Sequence, residues 1–415
     1  MRTDHFKRTR IACFFTYPAL APVFILPPIL FYTFRQMYGI SYTLLGTLVL
    51  TNFCTQLGVD LVFTFFSRYF NLRKTVRAMH LLTVVGLAIY AVVPSLLPKY
   101  AYGGLLVGTF LFSVSAGLGE VLLSPTFAAL PSKNPDRDMS ALHSLYGYGA
   151  AAIAVFSTAF LWLLGTENWM YLTLLLALLP LIAFVLFCLS PIPEVTLSHS
   201  TSQTAARQKR KGLALCAVCI FLGSAAENTM TNWISVFMES SLRLPKMVGD
   251  TLGLASFALL LAFARSWYAK YGKNIFRVLL FGMIGCAVCY VAAGLSSNIV
   301  ISVIACMLTG LCSAMLWPGT LILIEEKFPN PGVAAYALMA ACGDFGASVA
   351  PQGLGIVVDT VSAGKWACAL AERLSLSAEQ VGMKAGMLTG ALFPLLGIGV
   401  LLYVKRFFQE KKEAL

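Results

Sequence analysis

Charge is scarce in this chain: 12% of its 415 residues are Asp, Glu, Lys or Arg, about half the share of a soluble domain. With 58% hydrophobic residues and a mean hydropathy of +0.79, that scarcity excludes an ordinary soluble fold and points to an integral membrane protein. The alternating segments of about ten residues that build an outer-membrane barrel are absent as well. Helices are then the remaining way to satisfy backbone amides in lipid. No G-x-x-x-x-G-K-[ST] loop occurs, nor a soluble stretch to carry one, which excludes nucleotide hydrolysis by the chain itself. The eleven cysteines include two C-x-x-C matches, Cys216/Cys219 and Cys286/Cys289. Both lie in apolar helices and read as small packing residues. The expectation is no cofactor, no metal and no enzymatic activity.

What is present is a series of long apolar stretches. Spans of about 20 apolar residues cross a bilayer, and twelve such stretches fall near 11–34, 42–66, 75–98, 101–128, 140–165, 168–190, 212–238, 247–269, 277–296, 299–325, 333–358 and 385–404. The first follows basic residues as a signal peptide would. Its length and Pro18, Pro22, Pro27 and Pro28 read instead as an uncleaved helix. Alternating the loops puts twenty-three of the 30 basic residues on one side, among them Arg2, Arg68, Arg73, Lys74, Arg210, Arg265 and Lys411. The positive-inside rule makes that side cytoplasmic and places both termini there. The net charge of +12 is thus topological, and a nucleic-acid partner is not expected. The reading is a multi-pass protein of the plasma membrane, monomeric and surrounded by lipid.

No lysine or arginine falls in the middle of a span, whereas four carboxylates do: Asp60, Glu120, Glu227 and Asp344. A carboxylate in hydrocarbon costs several kcal/mol unless paired, protonated or facing water. With no cation expected at their depth, these acids are the first candidates for function. Glu120, Glu227 and Asp344 are expected to couple proton movement to solute movement. Asp60 lies nearer the inner end of its span, and the bland alternative for each is a protonated acid bonded between helices. The stretch Glu227-Asn228-Thr229-Met230-Thr231-Asn232-Trp233 is too polar to face lipid. It lines a cavity or closes a gate; Glu227, Asn228, Thr231 and Asn232 suit a hydroxylated solute, and Trp233 is placed to stack on a ring. Tyr146 and Trp317 are further binding candidates, with packing or gating as the other reading of Trp317.

Residues 194–211 are the long polar stretch between spans, dividing the chain into 1–193, a linker 194–211, and 212–415. The halves resemble each other. GLGEVLLSP runs from Gly117 to Pro125 and GLCSAMLWP from Gly310 to Pro318, followed by Gly147-Tyr-Gly149-Ala and Gly343-Asp-Phe-Gly346-Ala. Arg68…Arg73-Lys74 and Arg265…Lys270 and Lys273 also correspond. Repeated halves around a midplane site are the plan of secondary transporters. In the outer loop 359–384, Ser377-Ala-Glu-Gln380 fits a capping box leading into the last span.

These features resemble the major facilitator superfamily. Ser67-Arg68 and Arg73-Lys74 are a degraded form of its 2–3 loop motif, with Phe63 and Phe70 in place of glycines, and Arg265, Gly272 and Lys273 stand in the 8–9 loop. Gly117, Glu120 and Ser124-Pro125, then Leu142-His143 and Gly147-Tyr-Gly149-Ala150, are similar to the fucose–galactose–proton symporter branch. The resemblance implies an all-α membrane protein with twelve transmembrane helices in two pseudo-symmetric six-helix bundles. It implies a proton-coupling role for Glu120, a gating role for Arg68, Arg73, Lys74 and Arg265, and alternating access by movement of the two halves. The fucose permease has an aspartate in span one, and this span one has no acid. The leading reading is proton-coupled symport of a small polar solute such as a sugar. Proton-driven export of drugs or metabolites is a second, though span five lacks the Pro-Gly pair of G-x-x-x-G-P-x-x-G-G. A non-transporting membrane receptor is a third.

Overall fold

The computed structural model describes residues 6–66, 69–133, 135–193, 207–328 and 333–413. Among these no strand occurs. Eleven helices are long and apolar enough to cross a membrane, from Lys7–Tyr38 (span one) to Ala378–Gln409 (span twelve). Span eleven, Ala335–Ser362, bends by 80° into the short helix Lys365–Leu374, and that pair counted as one span brings the total to twelve. The intervening spans are Tyr42–Phe63, Leu72–Leu96, Pro98–Ala128, Leu145–Leu164, Thr166–Cys188, Arg210–Ser241, Lys246–Tyr271, Ile275–Leu295 and Ile299–Lys327, numbered two to ten in that order.

Local chemistry sets the ends. Span one stops at Gly39, whose φ of 65° takes the left-handed turn that closes the helix onto the Arg35 carbonyl at 3.0 Å. Spans three, nine and ten begin on Asn71, Asn274 and Asn298, each accepting a hydrogen bond from its own first turn. Hydropathy placed the start of span twelve near 385. It begins at Ala378 because the capping box forms in full, with Gln380 N–H donating to Ser377 Oγ at 3.1 Å and Ser377 N–H donating to Gln380 Oε1 at 2.9 Å. The four prolines of span one lie inside an unbroken 32-residue helix.

The chain divides into two compact units, Met1–Ile40 with Thr51–Ser198, and Ser41–Leu50 with His199–Leu415. In the first, Phe34 packs edge-on against Trp169 at 4.9 Å and against Tyr90 at 5.7 Å. Phe63, Val76, Met79, Leu122, Leu142 and Phe187 build a second apolar cluster. Spans three and four of this unit meet backbone to backbone. A Cβ on Gly86 would lie 2.9 Å from the Gly108 carbonyl oxygen, and one on Gly108 would lie 2.7 Å from that of Gly86. Small residues permit this approach, and lipid offers no hydrophobic force to replace the contact. In the second unit, span ten is interrupted at Ala314–Met315, between helices Ile299–Ser313 and Leu316–Lys327. Span seven ends in a π-helical turn, Phe237–Ser241, and a second π-helical segment, Gly249–Ala255, opens span eight.

The glycine contact yields a prediction. Gly108→Val should destabilise the protein by about 1–3 kcal/mol through overpacking. Thermal unfolding in detergent measures the loss, and Gly103→Val, with nothing within 4 Å of the added Cβ, should leave the melting temperature unchanged.

Candidate functional site

In the first unit, Asp60 and Glu120 come together from spans two and four, with an oxygen of each carboxylate within 4.8 Å of the other. Glu120 lies eight residues before the inner end of its helix at Ala128, about 12 Å along the axis at ~1.5 Å per residue. That depth is inside a hydrocarbon core about 30 Å thick. Glu120 is exposed and Asp60 half-buried. Asp60 Oδ1 is buried and has no hydrogen-bond partner among the described residues. Tyr17 of span one bonds the Ser124 hydroxyl, one turn on from Glu120, and lies within electrostatic reach of that acid. Tyr146 is half-buried, its ring edge-on to Phe24 at 5.8 Å.

The second unit changes two expectations. Glu227 has a cationic partner: Arg265 Nη2 donates to its Oε1 at 3.1 Å and its Oε2 at 3.3 Å. Arg265, read as a residue of the inner loop, instead directs its side chain back along span eight to the polar part of span seven. The reason lies in span ten. Pro318 has no N–H, so the Ala314 carbonyl four residues earlier loses its helical donor. Arg265 Nε supplies the missing hydrogen bond at 2.9 Å. One guanidinium thus answers a proline-orphaned carbonyl and a membrane-depth carboxylate together. The Arg265 side chain is 41% exposed and that of Glu227 is 16% exposed.

The rest of the polar stretch is partly engaged. Thr231 Oγ1 donates to the Glu227 carbonyl at 2.9 Å, Asn228 to that of Ser224 at 3.1 Å, and Asn232 to that of Asn228 at 2.8 Å. Such bonds to the preceding turn are how polar side chains are kept in an apolar helix. Glu227, Asn228 and Thr231 remain half-open on one side of the helix, while Asn232 is buried. Trp233 is a correction. Its ring is fully buried, its indole N–H donates to the Pro351 carbonyl at 3.0 Å, and Tyr42 packs edge-on against it at 5.7 Å. No face is open for stacking on a solute. Trp317 is half-buried and lies against Gly343, where a Cβ would meet the indole nitrogen at 2.5 Å. Asp344, the next residue, is half-buried on span eleven.

Of the loop residues, Arg73 and Lys74 are exposed in the first turn of span three, and Arg68 lies outside the described residues. Sequence reasoning missed an ionic group where span seven meets span eight. Lys246 Nζ lies 2.9 Å from Glu239 Oε1 and 3.2 Å from Asp250 Oδ2. Ser235 donates to the far oxygen of Asp250. The i, i+4 spacing of Lys246 and Asp250 was the available signal. It missed as well that Asp359 of span eleven accepts the Thr43 N–H at 2.6 Å and the Tyr42 N–H at 3.2 Å, capping span two, while the Tyr42 hydroxyl bonds Glu379.

The sequence model of the Major Facilitator Superfamily matches residues 12–351. No curated protein matches the chain. Among solved structures, the chain is similar to a bacterial homologue of the human lysosomal transporter Spinster, in an inward-facing and occupied conformation. The TM-score is 0.76 at 12% identity, over 97% of both chains. It is similar to a D-xylose–proton symporter, with TM-score 0.71, 14% identity, 93% of this chain and 96% of that one. The E. coli fucose:proton symporter gives 0.59 at 11% identity, covering 96% and 99%.

The Glu227–Arg265 contact predicts a thermodynamic signature. Arg265→Met removes the donor to both Glu227 and Ala314 and should cost about 1–3 kcal/mol. Adding Glu227→Gln to that variant should recover part of the loss, because the stranded charge is gone. A double-mutant cycle from thermal unfolding reads the coupling.

Proposed function

The chain belongs to the Major Facilitator Superfamily, and from that premise we propose that it moves a small polar solute, with a sugar as one candidate, by proton-coupled symport and alternating access. The observation that carries the proposal is the pairing of Asp60 and Glu120 at membrane depth, with one carboxylate oxygen buried and unpartnered. Two like charges this close repel in a low dielectric, and a shared proton removes the repulsion. A carboxylate that is also exposed, as Glu120 is, can take that proton from water on one side and release it on the other. Glu227 and Asp344 are the deep acids of the second half, which we take as 212–415 against 1–193. Asn228 and Thr231, half-open beside Glu227, suit the hydroxyls of a polar solute. The basic loops favour a plasma-membrane protein with both termini in the cytoplasm. The proton and sugar symporters among the similar structures support the same chemistry at the level of fold.

Proteoliposomes holding the purified chain, loaded alkaline inside, test the proposal. Labelled polar solutes should accumulate, and a protonophore should abolish the accumulation. Glu120→Gln should lower the accumulation ratio about tenfold, within the usual range of coupling energies, while solute exchange at equal pH persists. Flux indifferent to the pH gradient, or undiminished accumulation in Glu120→Gln, overturns it.

A further inference from the structure

We infer that the solute carries an oxyanion, as a sugar acid or other small carboxylate does, and that it binds Arg265 in exchange for Glu227 when that residue takes a proton. The inference rests on the transport reading above and narrows its substrate class. It starts from how the guanidinium is used. Nε is committed to the Ala314 carbonyl and Nη2 to Glu227, whereas Nη1 has no hydrogen-bond partner among the described residues. A guanidinium presents its donors as a planar fork matched to a carboxylate, and here one arm of the fork is open.

The opening does not face the lipid stripe of span eight. Exposed apolar residues follow that helix at four-residue steps, Leu259, Phe263, Trp267 and Tyr271. Arg265 is two residues from Phe263, about 200° round the helix at 3.6 residues per turn. Its 41% exposed side chain therefore opens away from the apolar face, toward the half-open Glu227, Asn228 and Thr231 of span seven.

Charge balance supplies the coupling. With the site empty, Glu227 and Arg265 cancel. When a proton adds to a Glu227 carboxylate oxygen, that residue becomes neutral and Arg265 loses its counter-ion. An incoming oxyanion restores neutrality by accepting hydrogen bonds from Nη1 and Nη2. One proton and one anion enter together, so the empty and loaded sites are both neutral, which the surrounding hydrocarbon favours. An uncharged sugar would leave the ion pair intact and give the proton nothing to exchange. The hydrogen bond from Nε to Ala314 holds the guanidinium in place throughout, since Pro318 can never supply a substitute. The titratable groups in reach of Glu227 are Arg265 from span eight and the Cys286 thiol from span nine. Tyr290 of span nine commits its hydroxyl to the Ala226 carbonyl at 2.7 Å. Glu239, Lys246 and Asp250 at the outer end of spans seven and eight, Asp344 of span eleven and Lys384 of span twelve make no ion pair with Glu227.

The first test uses acetate as a generic probe and the full chain in detergent. Glu227→Gln mimics the protonated state, so acetate should raise its melting temperature by about 2 °C or more, with little effect on the unmutated protein at neutral pH. Adding Arg265→Gln should erase the shift; an equal shift in the double variant overturns the inference. The second test follows flux in proteoliposomes under a pH gradient with glucuronate, lactate, glucose 6-phosphate and glucose. A carboxylate should accumulate at least about tenfold over glucose, and a preference for the phosphate ester would assign the oxyanion to that class instead. Glu227→Gln should keep anion exchange and lose uphill accumulation. Proton-driven glucose flux without flux of any anion sinks this inference and leaves the transporter reading standing. Proton-driven flux of none of the four, with no acetate shift, sinks both.

Discussion

Hydrocarbon offers no hydrogen bonds, and that constraint shapes how polar groups at depth in this protein are held. The simplest solution repeats along the helices, where a hydroxyl returns to the carbonyl four residues before it. Thr16 does so with Ala12, Thr126 with Leu122, Thr309 with Ala305 and Thr320 with Leu316, at 2.7–2.9 Å. The same constraint operates at helix ends. The first amides of span two have no helical acceptor, and Asp359 from span eleven takes two of them. That carboxylate is itself stabilised by the positive end of the helix it caps. Where proline removes a donor inside a span the demand is sharper. The Ala314 carbonyl is answered from a neighbouring helix, by a residue that carries a full charge into the bundle.

That chain of consequences explains what could be read from the sequence and what could not. Span count and approximate position depend on composition averaged over about 20 residues, and averages survive ignorance of packing. The capping box at Ser377–Gln380 was legible because its partners are three residues apart. The partnership of Glu227 with Arg265 was not, because the residues are 38 apart and the direction of an arginine side chain depends on which neighbour lacks a donor. Reading Arg265 as a loop residue followed from its nearness to the end of span eight. Pro318 held the missing clue, since its absent N–H made an external donor to Ala314 necessary. Trp233 failed for a related reason. An aromatic in a polar stretch suits stacking equally well on a solute or on a neighbour, and the indole N–H chose Pro351.

Two ionic groups of similar composition stand among the described residues of the second unit, and their difference separates an ion pair that supports the fold from one that can take part in exchange. Lys246, Glu239 and Asp250 have side chains 14%, 6% and 0% exposed. They sit where two π-helical segments leave backbone groups irregular. Ser235 adds a hydroxyl to both acids, and removing Lys246 strands two buried acids at a cost of several kcal/mol. Such a group resists exchange because nothing from outside can replace a lost partner.

Arg265 and Glu227 differ on each count. Arg265 is open, the acid is half-buried, and the contact uses one guanidinium nitrogen where two were available. Arg265 is anchored independently at Ala314, so its position does not depend on keeping Glu227 as a partner. A pair with one fixed member, one replaceable member and an unused donor has the connectivity that exchange requires. The geometry that satisfies a proline-broken helix therefore also presents a charge that a solute can reach.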